Sequence, residues 1–107
     1  MYARINEVTW KDDQSEAEFV RWRDLIRGQP GFRGYLILDK GNSQEVAITL
    51  WDTREAHQAW AGHATFRRFL QAETESRIAT WTAAEAIVAR AELRNIATWA
   101  TEQEAPP

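Results

Sequence analysis

The pattern of apolar and polar residues in the first part of the chain predicts a strand followed by a helix. The segment Tyr2–Trp10 is short and rich in β-branched and aromatic residues, which predicts a strand. Apolar residues then recur at every third or fourth position, which predicts an amphipathic helix. The segment "SEAE" indicates where that helix begins, because Ser15 and Glu18 form a capping box. Gly28 and Pro30 predict its end.

Two further segments that are typical of strands follow this helix. The pattern predicts a second strand over Gly31–Asp39 and a third over Glu45–Trp51. The segment "KGNSQ" lies between them, and its Gly41 and Asn42 are residues that adopt positive φ readily. The two strands are therefore predicted to form an antiparallel hairpin.

The second half of the chain is predicted to be mostly helical before a last strand. Asp52 with Glu55 forms a second capping box, which predicts a short helix that Gly62 closes. Another helix is predicted to begin near Thr65, and the last strand to lie somewhere within Glu85–Leu93. The apolar stripe of the helix that begins near Thr65 is predicted to consist of Phe66, Phe69, Leu70, Ile78 and Trp81.

This order of elements predicts an α+β fold, the split βαβ arrangement of a ferredoxin-like domain with an antiparallel sheet. We expect a single domain over residues 1–100 and a polar tail over residues 101–107. Helices would cover only one face of the sheet, so the other face would expose Ala47, Thr49 and Trp51 or their counterparts. A homodimer that joins two such faces is the natural way to bury them.

Composition narrows the classes of function. The net charge of −3 gives no general attraction to nucleic acid or to anionic membranes, and no apolar stretch approaches membrane-spanning length. The absence of cysteine excludes disulfides, thiolate catalysis and cysteine-based zinc sites. A cytoplasmic location is the default expectation. Six tryptophans in 107 residues are unusual: each could simply fill the core, but together they favour a cavity for a flat aromatic ligand.

Three features in a fixed order resemble the antibiotic biosynthesis monooxygenase family. They are "QPGFRGYLIL" after the first helix, the strand and helix "ITLWDTREAHQAW", and Phe66 six residues beyond Trp60. The resemblance spans about residues 2–69. It implies a dimeric α/β barrel in which two ferredoxin-like subunits pack sheet to sheet, each with a pocket between its sheet and its helices.

Within that superfamily the sequence is also similar to the haem-degrading monooxygenases. The similarity matches Asn6 to an asparagine on their first strand and Trp60 to a tryptophan on their short helix. It places Leu70 where their axial histidine stands, and leucine cannot ligate iron. Haem degradation would therefore require His57 or His63 to supply the ligand. The related branch of the family that oxidises phenols and anthrones without metal or flavin tolerates Leu70.

These residues also have chemistry of their own. The Asn6 amide could donate a hydrogen bond to a developing oxyanion, and the Trp60 indole could stack on an aromatic ring. His57 and His63 are candidate bases, although a histidine on a short helix is more often simply solvated. Two imidazoles without a carboxylate cluster are a weak signal for a metal site. Three apolar residues are expected to bind the substrate: Phe66, Phe69 and Leu70.

Three hypotheses follow. The leading one is a cofactor-independent monooxygenase that oxidises a phenolic or quinone-forming aromatic substrate with O2, with Asn6, Trp60, His57 and His63 as catalytic candidates. The second is a haem-binding or haem-degrading monooxygenase with a displaced axial ligand. The third is a small-ligand-binding dimeric barrel without catalysis, since fold alone does not establish function.

Overall fold

The computed structural model describes residues 1–12, 16–74 and 77–92. Ser15, the predicted cap of the first helix, and the predicted tail over residues 101–107 lie outside the described residues. The elements in chain order are β1 Tyr2–Trp10, α1 Glu16–Arg27, β2 Phe32–Gly41, β3 Gln44–Trp51, α2 Arg54–Ala61, α3 Ala64–Phe69, a π-helical turn Leu70–Thr74 and β4 Ile78–Ile87.

The four strands form one antiparallel sheet in the order β2-β3-β1-β4. This is the strand order of a ferredoxin-like fold, so the predicted fold class is confirmed. The β2–β3 hairpin is also confirmed. Its turn places Gly41, Asn42 and Ser43 at φ of 80°, 55° and 61°, in the left-handed region that glycine and asparagine tolerate best.

The start of α2 differs from the prediction by one residue. Thr53, not Asp52, is the N-cap, and its Oγ1 accepts a hydrogen bond of 3.1 Å from the backbone N–H of Ala56. Asp52 is still held at the end of the strand, because its backbone N–H donates to the Gly31 carbonyl at 2.8 Å. The predicted end of α2 is confirmed, since Gly62 is the C-cap.

The last strand begins earlier than the sequence predicted. It spans Ile78–Ile87, whereas the prediction placed it within Glu85–Leu93. Ile78 and Trp81 therefore belong to β4 and not to the apolar stripe of α3, which ends at Phe69. The segment is rich in alanine, which has high helix propensity, but pairing along nearly all of β1 determines its conformation.

The helices cover one face of the sheet, and the register shows which face. Tyr2, Trp51 and Trp60 form the buried core together with Ile26 of α1. The alternation along β3 therefore turns Ala47, Thr49 and Trp51 toward the helices, so of the two sets that the sequence left open, their counterparts form the uncovered face. Their counterparts point the other way: Val46, Ile48 and Leu50.

No helix within the described residues is both long enough and apolar enough to span a bilayer.

Candidate active site

A cavity of about 420 Å³ lies between the sheet and the helices. The inner face of β1 supplies Arg4, Asn6 and Val8 to its floor, and α2 and α3 supply part of its wall. A volume of this size is typical of small-molecule sites, which are mostly apolar and carry a few placed polar groups.

Asn6 lies at the middle of β1 on the cavity floor, and one hydrogen bond fixes the orientation of its amide. The Nε1 of Trp81 donates to the Oδ1 of Asn6 at 3.1 Å. An indole N–H can only donate, so its partner must be the amide oxygen. The Asn6 amide N–H groups are therefore left to donate to another acceptor. This is the orientation that stabilisation of an oxyanion requires.

One part of the aromatic wall comes from α2 and α3, and α1 contributes Phe19 and Trp22. Trp60 is 4% exposed and lines the cavity from the end of α2, so it serves both the core and the cavity. The Phe66 ring lies against it, with ring centroids 4.5 Å apart. Phe69 and Leu70 line the same cavity. The structure thus brings Asn6, Trp60 and the three predicted substrate-binding residues around one space.

His57 lines the cavity one helical turn before Trp60. Its ring is packed between those of Tyr2 and Trp51, each with a centroid 5.6 Å away. Burial lowers the pKa of His57, and the positive charge of Arg4 lowers it further, with a partial opposing effect from Glu85. Both leading causes disfavour the imidazolium form of His57.

His63 is placed differently. It is exposed and is the N-cap of α3, where its Nδ1 accepts a hydrogen bond of 3.1 Å from the backbone N–H of Thr65. It is not among the residues that line the cavity. The geometry therefore gives His63 a capping role and no contact with a ligand in this space.

The sequence reasoning missed two charged side chains on the cavity floor, Arg4 of β1 and Glu45 of β3. Glu45 shares its face of β3 with Ala47, Thr49 and Trp51, so the alternation contained the signal that would have placed it inside. Its position next to a turn made it look like a solvated strand end. The sequence places Arg4 on the same side of β1 as Asn6. Whether that side is buried depends on how β1 pairs with its neighbouring strands, which the sequence does not define.

Haem is the cofactor that the resemblance raises, and its iron would need an axial ligand among the cavity residues. Leu70 lines the cavity but offers no donor atom, and His63 does not line it. His57 is the one histidine on the wall, and its ring is held there by Tyr2 and Trp51. The residues present do not fit an axial haem ligand. In the described part of the chain, no group of three histidine, cysteine or carboxylate side chains is arranged to hold a metal ion.

Solved structures with the same fold include an oxygenase, a protein of unknown function and a porphyrin complex. A variant of SnoaB, a cofactor-independent oxygenase from Streptomyces nogalater, is 19% identical over 84% of this chain and 94% of its own, with a TM-score of 0.74. NE2512, a Nitrosomonas europaea protein of unknown function, is 15% identical over 87% and 93%, with a TM-score of 0.70. A variant of MhuD with two manganese protoporphyrin IX molecules per active site is 20% identical over 88% and 100%, with a TM-score of 0.61. At these identities the likeness establishes the fold.

Family membership rests on the sequence itself. A comparison with the curated proteins finds no match. The sequence model of the family described as antibiotic biosynthesis monooxygenase matches residues 1–72, which include β1, the β2–β3 hairpin, Trp60 and Phe66. The chain belongs to the antibiotic biosynthesis monooxygenase family, and this membership supports a monooxygenase-type function.

Proposed function

We propose that this protein is a cofactor-independent monooxygenase that oxidises a phenolic or quinone-forming aromatic compound with O2. One observation carries the proposal: the oriented amide of Asn6 and the buried indole of Trp60 line the same cavity. The similar fold of SnoaB, a cofactor-independent oxygenase, supports it, as does the lack of a suitable haem ligand on the cavity wall.

The chemistry depends on a substrate that can itself reduce oxygen. For an anthrone, loss of a proton from the ring CH2 gives an electron-rich enolate that reacts with O2. The carbon then loses its two hydrogens and gains one oxygen atom as the quinone carbonyl, while the second oxygen atom leaves with both hydrogens as water. The protein has to bind the substrate, accept a proton, stabilise the enolate and limit access of water.

The cavity residues match these tasks. The free N–H of the Asn6 amide would donate to the enolate oxygen, where negative charge develops. Trp60 and Phe66 would hold the flat ring system by stacking, and Phe69 and Leu70 would keep water from the reacting carbon. Because the amide is already fixed by Trp81, little reorganisation is needed when charge develops.

The proposed activity is tested by oxygen uptake with anthrone, with 9,10-anthraquinone measured as the product. We expect one O2 consumed per quinone formed, with no added metal, flavin or haem. The double substitution of Asn6→Ala with Trp60→Phe should abolish it. Activity that survives both changes would remove the proposed site. Tight binding of 9,10-anthraquinone without oxygen uptake would instead favour a ligand-binding protein. A shifted haem absorption band that one histidine substitution removes would favour the haem alternative.

The proposed enzyme is a homodimer and works in the cytoplasm. The face of the sheet opposite the helices carries Ile5, Leu36, Val46 and Ile48, and Leu38 on the same face is 48% exposed. No helix of the described residues packs on this face. An apolar sheet face of this kind favours burial against a second copy around a twofold axis. The cytoplasmic location stays a prediction from the sequence.

Replacing Ile48 with glutamate should convert the dimer to a monomer. The substitution puts a charge at the centre of the uncovered face, where burial against the partner would desolvate it. Analytical ultracentrifugation measures the outcome, and the far-UV circular dichroism spectrum should stay unchanged. Gln58→Glu, on the exposed side of α2, adds the same charge elsewhere and should stay dimeric. A wild-type chain that sediments as a monomer would contradict the proposed assembly.

A further inference from the structure

Glu45 is a carboxylate on the cavity floor close to the proposed oxyanion donor. It lies on β3 opposite Val8 of β1, while Asn6 is opposite Ala47, two residues further along β3. Glu45 and Asn6 are therefore diagonal neighbours on one face of the sheet, a relation that places two residues about 7–8 Å apart. Both side chains line the cavity. A ring bound across them would meet an amide donor at one edge and a carboxylate at another.

The surroundings of Glu45 favour its protonated form. Burial raises the pKa of the carboxyl, and the negative charge of Asp39, its cross-strand partner on β2, raises it further. The Trp10 indole, which lies beside the carboxylate, partly offsets these effects. The half-buried Glu45 thus has a stronger tendency to accept a proton than a solvated glutamate has.

The surroundings of the cavity distinguish Glu45 from the other candidate base, His57. Arg4 of β1 and Arg67 of α3 line the cavity, as does His57 of α2. A proton on His57 would create a second positive charge beside Arg4 in a partly buried site, and burial opposes that charge as well. A proton on Glu45 would remove a charge instead. Burial therefore hinders proton uptake by the histidine and assists it at the glutamate.

We infer that Glu45 is the base of the proposed oxygenase and takes the acidic proton of the bound substrate. The inference rests on the proposed function. In an anthrone, the C–H bond opposite the carbonyl breaks, and its proton moves to a Glu45 carboxylate oxygen. The electron pair moves into the ring and onto the carbonyl oxygen, where Asn6 donates its hydrogen bond. This step needs no oxidant, so it takes place without O2.

The proton transfer can therefore be measured separately from oxygenation. Anthrone is incubated with the protein in deuterium oxide under nitrogen, and proton NMR follows exchange of its ring CH2 group, corrected for the uncatalysed rate. Glu45→Gln should lower the catalysed exchange by about 10²–10⁴-fold, the usual contribution of a positioned base. Glu55→Gln, the same change at an exposed position of α2, should leave exchange unchanged. His57→Gln, at the rival candidate base, should lower exchange by much less than Glu45→Gln does.

Binding and folding controls accompany these rates. Quenching of tryptophan fluorescence by 9,10-anthraquinone should show similar affinity for the Glu45→Gln and wild-type proteins, because the glutamine has nearly the same shape. Glu45→Asp, which keeps a carboxylate further from the ring, should recover part of the exchange. Full exchange by Glu45→Gln, or loss of exchange in His57→Gln alone, would overturn the assignment of the base.

The two proposals can fail separately. Wild-type protein that exchanges the proton under nitrogen but consumes no oxygen in air, together with loss of exchange in Glu45→Gln, would support Glu45 and contradict the oxygenase. Wild-type protein that consumes oxygen while Glu45→Gln does so equally fast would support the oxygenase and contradict Glu45. Wild-type protein that catalyses no exchange would also contradict the assignment of Glu45.

Discussion

Replacing Asn6 with leucine is expected to lower kcat for oxygen uptake with anthrone by about 10²–10³-fold, the loss typical of removing one oxyanion donor. Leucine is similar in size but cannot donate to the enolate oxygen. Substrate binding should change little, because stacking on Trp60 and Phe66 is retained. Steady-state oxygen electrode measurements separate kcat from KM.

Two control substitutions give this prediction its specificity. Trp81→Phe removes the hydrogen bond to the Asn6 oxygen but keeps the amide, so it should reduce kcat by less than Asn6→Leu does. Trp81 is 47% exposed, which limits the structural cost of the change. His63→Asn keeps a side chain that caps helices well and should leave kcat unchanged. Equal kcat values for Asn6→Leu and wild type would show that the amide does not act on the reacting oxygen.

The strands of the first half of the chain were predictable because their signal is local. The β-branched and aromatic residues of Tyr2–Trp10 predicted β1 with its observed bounds, and "KGNSQ" marked the turn whose residues have positive φ. A last strand was also predicted, but its bounds were not, because its residues do not favour a strand by themselves. The segment "TAAEAI" is typical of a helix, and only long-range pairing with β1 makes it a strand.

The candidate site was predictable to the extent that a local pattern or a resemblance pointed to it. Asn6 and Trp60 were singled out from the sequence, and the structure places both around one cavity. The positions of Glu45 and Trp81 in the site depend on the register between strands that are distant in sequence. The periodicity of a single segment does not define that register. The capping role of His63 depends on a one-residue difference in where α3 begins. Such details need coordinates.

Replacing Trp51 with alanine is expected to lower the free energy of unfolding by about 3–5 kcal/mol, the usual cost of removing a large aromatic side chain from a core. Trp51 is fully buried, and its ring meets those of Phe32 and His57 edge-on, with centroids 5.3 and 5.6 Å away. A domain of this size has a total stability of about 5–15 kcal/mol, so the change removes a large share of it. Urea unfolding at an unchanged m-value measures the loss.

The polar contribution of Trp51 can be separated from its volume. Its Nε1 donates to the buried Thr49 Oγ1 at 2.9 Å, so Thr49→Val leaves a buried indole N–H without an acceptor, which costs about 1–3 kcal/mol. Trp51→Phe with Thr49→Val removes both partners and should cost less than the sum of the single changes. Additive costs would mean that the hydrogen bond does not couple the two residues. A Trp51→Ala protein as stable as wild type would contradict the placement of this ring in the core, and with it the packing that holds His57 in the cavity wall.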